Sequence, residues 1–278
     1  MHVTFHGVRG SSPCDGPELE RHGGNTSCVH VDVPGNPPIL FDLGTGARSF
    51  GASWPADRPF DGVCLLTHLH WDHAIGLPFF PVTLRPGNRL TVHAPRQENG
   101  RTLEETFGKM LCPPFFPVSM DAFPGDVAFV EHDGEADFAI GDVRVMARSV
   151  PHIGPTLGYR LDWNGASIAY LSDHQQPDID RYEVPDGVRE LCDSVDLLIH
   201  DAQFTPEEFE AKQHWGHCTV DFACWLARET NVGSLALFHH DPAHSDAQLD
   251  AMTAEAQLAY PDLTVFAARE RCSFPVGG

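Results

Sequence analysis

The chain is short of positive charge: 18 Lys and Arg stand against 39 Asp and Glu, a formal net charge of −21 over 278 residues. A field of that sign repels polyanions and argues against a broad nucleic-acid footprint, which normally shows as basic patches. It does not exclude a small phosphate ester, because bound cations can dominate a local field. There is no apolar run of about 18 residues, so no membrane-spanning helix is expected. Met1 to Gly10 lack a basic stretch followed by an apolar one, which predicts a cytoplasmic protein without a signal peptide. The eight cysteines are scattered and none has C-x-x-C spacing, so reduced, mostly buried thiols are expected rather than a zinc ribbon. No repeat, low-complexity tract or long linker breaks the chain, and a single domain spanning 1–278 is predicted.

Histidine, in contrast, is plentiful, with 17 copies. Composition alone is a weak signal for metal binding, and position has to decide. Val29, Val31 and Val33 alternate with polar residues as in a half-buried strand. Pro38–Asp42, Gly62–Leu66, Asp142–Val150, Ala166–Leu171, Asp196–Ile199 and Ser234–Phe238 are short apolar runs bounded by turn formers, and they read as strands with both faces covered. Thr219 is placed to cap a helix through about Arg228, Ser245 with Gln248 forms a capping-box pattern, and Thr102–Met110 is a weaker helix candidate. Sheets packed between helical layers fit this order.

Five of the apolar runs lead straight into histidine or aspartate: Thr67-His68, Pro151-His152, Ser172-Asp173, His200-Asp201 and His239-His240. Ligand sites of α/β proteins lie at the carboxyl ends of strands, so five strands can deliver metal-type donors to one rim. The densest segment is His68-Leu69-His70-Trp71-Asp72-His73. Alternate residues of an extended loop point the same way, so His68 and His70 can grip one ion, with Asp72 and His73 within reach of a second. Imidazole and carboxylate suit zinc, iron or manganese. The competing explanation is a polar loop of solvated histidines.

His-x-His-x-Asp-His at 68–73 resembles the signature of the metallo-β-lactamase superfamily, and the resemblance extends from about Met1 to Tyr260. It implies an α/β fold, the αββα sandwich, and two divalent metal ions, zinc first and manganese or iron next. By resemblance, His68, His70 and His152 would hold one ion and Asp72, His73 and His239 the other. Asp173 would bridge them, and Asp72 would also orient the nucleophile. His240 is a rival to His239. Leu198-Ile199-His200-Asp201-Ala202-Gln203-Phe204 and Gly216-His217-Cys218-Thr219 are similar to two motifs of ribonuclease Z-like phosphodiesterases. In that branch the acidic residue orients a histidine that stabilises or protonates the departing oxygen, which by resemblance assigns those roles to Asp201 and His217. Asp replaces the branch's Glu, and Cys its Ser.

Bacterial and eukaryotic ribonuclease Z carry a tRNA-holding arm between the third histidine and the bridging aspartate, whereas His152 and Asp173 leave room only for two strands and a turn. The resemblance therefore implies a compact phosphodiesterase acting on a small phosphodiester, cyclic ones included. Phosphoribosyl 1,2-cyclic phosphodiesterases share the plan but have a cysteine-rich zinc site near the N-terminus, where this chain has a lone Cys14. A membrane partner is not expected, long nucleic acid is disfavoured, and a homodimer is left open. The alternatives are a thioester, lactone or β-lactam hydrolase of the same fold, and a non-catalytic metal-binding regulatory module. Arg21-His22-Gly23-Gly24-Asn25-Thr26-Ser27 reads either as a phosphate cradle or as a plain turn. Leu77–Pro81 and Pro113–Pro117 read either as an apolar wall beside the metals or as ordinary loop packing. His174 and His214 are given no role.

Overall fold

Alternation along the strands sorts the side chains into layers. In the computed structural model, which describes residues 1–277, the first part of the chain supplies β1 (His2–Gly7), β2 (Cys28–Asp32), β3 (Ile39–Phe41), β4 (Asp61–Leu65), β5 (Arg89–Pro95) and β6 (Asp126–His132). The second part supplies β7 (Ala136–Ile140), β8 (Val143–Ser149), β9 (Leu157–Trp163), β10 (Ala166–Leu171), β11 (Leu197–Asp201), β12 (Ser234–Phe238), β13 (Thr264–Ala267) and β14 (Ser273–Pro275). They form two seven-stranded sheets, ordered β14-β1-β2-β3-β4-β5-β6 and β13-β12-β11-β10-β9-β8-β7.

Inward residues of the first sheet, among them Phe5, Val29, Val31 and Phe41, meet Tyr159, Ile168, Tyr170 and Phe238 of the second. Phe41 stacks on Tyr170 with centroids 4.6 Å apart. The outward face of the first sheet packs on α1 (Gly46–Ser53) and, through Leu103 and Phe107, on α3 (Leu103–Met110), after the one-turn α2 (Trp71–Ala74). The outward face of the second packs on α4 (Asp186–Cys192), α6 (Val220–Glu229) and α7 (Asp246–Ala259), while α5 (Pro206–Lys212) lies between β11 and α6 in sequence. The product is the expected αββα sandwich. β10 is buried at every position, with Ser167 as its one polar residue: Ala166, Ile168 and Tyr170 face the other sheet, while Ala169 and Leu171 face the helices.

Strand direction sets the site. β3, β4, β5 and β6 run parallel, as do β10, β11, β12 and β13. β8 pairs antiparallel to β9, which pairs antiparallel to β10, so β8 ends at the same rim as β10. The β9–β10 hairpin closes on Asn164-Gly165, both with positive φ (49° and 82°), the backbone that two-residue hairpins favour. That tight turn is all that lies between the two strands joining His152 to Asp173. The capping expectations correspond to observed bonds: Thr219 accepts from the Phe222 N–H, and Ser245 and Gln248 form a reciprocal box. β11 runs two residues past its apolar stretch, to Asp201, because both polar side chains there are buried and hydrogen-bonded. Five cysteines are buried, and Cys272 is exposed. Among the described residues no helix is long and apolar enough to cross a membrane.

Candidate metal centre

The donor-bearing residues come off the strand ends in turn. β4 runs out at Leu65, and the extended stretch to His70 brings the His68 and His70 rings within 4.4 Å, centroid to centroid. The turn of α2 then places Asp72 and His73 toward the interior, while Trp71 faces out. His152 follows β8, Asp173 follows β10, and His239 follows β12 with φ of +58°. Gly216 lies against the His152 ring so closely that a Cβ would sit 2.4 Å from its Nδ1, and its φ is +97°. Only glycine meets both demands.

His68, His70, His152 and Asp173 bring one donor atom each within 4.8 Å of one another, and so do Asp72, His73 and His239. Asp173 stands between the two groups. Its Oδ1 is 3.1 Å from His73 Nε2 and 3.4 Å from His239 Nε2, while its Oδ2 is 3.8 Å from His68 Nε2 and 3.6 Å from His152 Nε2. Asp72 Oδ2 lies 3.0 Å from His239 Nε2 and 3.1 Å from His73 Nε2, and accepts from the Ser11 N–H at 2.7 Å.

The outer hydrogen bonds fix which nitrogen of each ring faces inward. His73 Nδ1 donates to Asp42 Oδ2 at 2.8 Å, His239 Nδ1 to Gln203 Oε1 at 2.9 Å, and His152 Nδ1 to the Gly216 carbonyl at 2.7 Å. The Thr67 hydroxyl gives its proton to Asp42 and so accepts from His68 Nδ1 at 3.0 Å. With these tautomers, assigned from the network, four Nε2 lone pairs point into the cluster. His73 Nε2 and His239 Nε2 are 3.2 Å apart, as are His152 Nε2 and His70 Nδ1. Lone pairs at that distance repel unless a cation lies among them, and two nitrogens sharing a tetrahedral zinc stand about 3.3 Å apart. His68 Nε2 and Asp173 Oδ1, both buried, make no hydrogen bond in the protein. Buried polar atoms are rarely left so unless an ion or water completes them. The donors fit a pair of metal ions.

Protonation agrees. Burial is the leading influence holding His68, His70 and His152 below the ordinary histidine value, in the neutral ligating form. Burial opposes ionisation of Asp72 and Asp173, yet the surrounding histidines outweigh it and hold both well below the carboxylate range.

Beside this cluster, Asp201 sits at the end of β11 with Oδ1 accepting from the Gln203 N–H and Oδ2 from the His174 N–H. Oδ2 also accepts from His217 Nδ1 at 2.9 Å, and the His217 ring lies over His239 with centroids 4.9 Å apart. Burial pushes the His217 imidazole down, but Asp201, Asp173 and Asp72 together raise it above the usual value.

Other expectations resolve differently. His240 Nε2 hydrogen-bonds the Ala268 carbonyl at 3.0 Å, away from the cluster, so His239 is the one that faces it. Arg21 is tied to Asp250 at 2.6 Å and Asn25 to Glu270, so the 21–27 segment is a turn anchored to the far end of the chain and not a phosphate cradle. Phe79 packs edge-on against Phe116 outside the cleft, and the apolar wall comes instead from Leu69, Trp71, Ile153 and Trp215. His174 Nδ1 is 2.9 Å from His200 Nε2 in a buried pair, while His214 lines the cleft. Asp42 and Gln203, which orient ligand-type histidines, were not singled out from the sequence. Asp42 could have been, since it also ends an apolar strand.

Residues 38–240 match the family described as Beta-lactamase superfamily domain. Ribonuclease Z of Archaeoglobus fulgidus is 28% identical over 87% of this chain and 88% of its own length. The fold is shared with the metallo-beta-lactamase fold protein YhfI from Bacillus subtilis (TM-score 0.74, 17% identity, covering 99% of this chain and 98% of that one). It is shared also with the short form of human tRNase Z (TM-score 0.70, 21% identity, covering all of both chains).

Proposed function

The chain belongs to the beta-lactamase superfamily, and from that premise we propose that it is a dinuclear metal-dependent phosphodiesterase acting on a small phosphodiester. The observation that carries the reaction class is the buried Asp201–His217 pair beside Asp173 and His239. We assign His68, His70, His152 and Asp173 to one ion and Asp72, His73, His239 and Asp173 to the other, with zinc favoured because histidine dominates and manganese or iron next. The ions, when bound, supply Lewis acidity and lower the pKa of a coordinated water toward about 7.

This chain's own groups do the rest. Asp72 and Asp173 offset the cationic charge, and Asp72, fixed by the Ser11 N–H, orients the attacking water. Asp201 holds His217 through Nδ1, leaving Nε2 to give a proton to the departing oxygen. The raised affinity of His217 for a proton suits an acid that must be charged at neutral pH. We read 1–278 as one hydrolase domain working in the cytoplasm.

Similarity to ribonuclease Z favours a second reading, RNA processing. The two-residue turn at Asn164-Gly165 and the net charge of −21 weigh against it.

Turnover of bis(p-nitrophenyl) phosphate, nitrocefin, a thioester and a precursor tRNA by the metal-loaded protein separates the readings; nitrocefin or tRNA hydrolysed faster than the phosphodiester overturns the proposal. His217→Ala is expected to keep both metals and lose about 10²–10⁴ in kcat on a poor leaving group, with a smaller loss for p-nitrophenolate. His239→Ala is expected to lose metal first. A His217→Ala protein that drops an ion would make His217 a ligand and remove the acid.

A further inference from the structure

The cleft over Asp72, Asp173 and His217 has a volume of about 580 Å³. Two features of its lining bear on what enters. Its mouth is formed by Trp71, 72% exposed, Trp215, 60% exposed, and Ile153, 52% exposed. These come from three separate segments: the turn of α2, the loop after β8, and the loop after α5. Clustered exposed apolar side chains at the rim of a polar site mark a contact surface. Second, among the described residues lining the cleft every ionisable group is histidine or aspartate, with no lysine or arginine. The nearby ammonium of Lys212 lies 5.6 Å from the Trp215 ring and is engaged by Asp241 Oδ2 at 3.0 Å.

We propose that the substrate is a phosphodiester bearing one flat aromatic substituent, of nucleoside or aryl type, and no second phosphate or carboxylate. The proposal rests on the phosphodiesterase reading for the reacting group and on the two indoles for the substituent. The donor cluster accommodates one phosphoryl group, and no cationic side chain waits for another. A planar ring leaving the cluster meets Trp71 or Trp215, and stacking of a base on an aromatic side chain is worth on the order of 10-fold in affinity. Phosphosugars with additional phosphates, and RNA, present charge where the protein offers indole and a net negative field.

The test is calorimetric titration of the full metal-loaded chain with three probes, two monophosphates and one bisphosphate: adenosine 5′-monophosphate, ribose 5-phosphate and adenosine 3′,5′-bisphosphate. The first is expected to bind about 10-fold tighter than the second, and the third no tighter than the first. Trp71→Ala combined with Trp215→Ala, with metal content checked, is expected to erase the preference and leave ribose 5-phosphate binding within about 2-fold. Equal binding of the first two probes, tighter binding of the bisphosphate, or a preference that survives the double substitution overturns the inference. Bis(p-nitrophenyl) phosphate turnover by the same preparation reports separately on the reaction class. Its absence with the adenosine preference intact removes the phosphodiesterase reading, and its presence without that preference removes only the aromatic one.

Discussion

Asp42 never faces the cleft, yet four donors converge on it. Thr67 N and Oγ1 reach Oδ1 at 2.7 and 3.0 Å, and His73 Nδ1 and the Tyr170 hydroxyl reach Oδ2 at 2.8 Å each. It also has φ of +59°, a conformation that Asn tolerates better than most residues. Asp42→Asn is therefore expected to fold, but its NH₂ must oppose two of the four donors. One side of the network then releases either His73 or the Thr67 prop behind His68. Loss of such an outer partner typically costs about 10–100-fold in metal affinity, which competition with a chelator measures; unchanged affinity would show that the rings hold their orientation without it. The histidines and aspartates at the centre were legible because His152, Asp173 and His239 stand within a few residues of a strand end and the other four form the dense His68–His73 segment after β4. Gln203 was not, because an amide carries no charge or metal preference that marks it in a sequence.

Burial and capping made some elements legible but not all: β1 and β5, buried on alternate positions, and α5, with its Thr205–Glu208 box, were not anticipated. β10 and β12 were bounded correctly because strands covered on both faces read as short, largely apolar runs between turn formers, and the starts of α6 and α7 because side-chain caps announce them. β6 and β7 were not seen: they form the open edges, alternate half-buried with exposed residues, and carry Asp126, Glu131 and Asp137. The outer face of the first sheet has its own titration. His6 on β1 and His30 on β2 pack on Phe50 of α1, with centroids 5.2 and 4.7 Å away. Burial lowers each from the ordinary 6.5 to about 4. The unfolded chain thus binds protons that the folded one refuses, so stability falls as pH drops through 6.5 toward about 4. In chelator, which removes metal competition from the comparison, the thermal midpoint is expected to decline across that window. His30 Nε2 has no hydrogen-bond partner, so His30→Leu should shallow the decline. An identical pH profile in the variant would mean that other groups govern acid sensitivity.

Across the molecule, the layered fold and the single rim were legible because strand ends and donor residues coincide. The cleft mouth was not: Ile153 and Trp215 lie on loops 62 residues apart, and nothing local joins them. The centre draws His68, His70, Asp72 and His73 from the end of one sheet, and His152, Asp173 and His239 from strand ends of the other. Ions that bind only the folded arrangement stabilise it by mass action, about 2.7 kcal/mol per site at a hundred times Kd. Removing metal with chelator is therefore expected to lower the thermal midpoint, and restoring zinc to recover it. A midpoint indifferent to metal would mean that the sheets are already locked without it.

The β8–β12 loops and the β4–α2 loop face one another across the sandwich, joined in the protein alone by hydrogen bonds such as Leu157 N to the Thr67 carbonyl at 2.9 Å. A pair of ions held there as proposed would clasp one end of two sheets that elsewhere are joined through their shared hydrophobic core. Amide protons near that end, on both sheets, should exchange with solvent as a single cooperative unit whose opening is limited by metal dissociation. Those at the opposite end, where β1 meets β14, should exchange on a schedule indifferent to it.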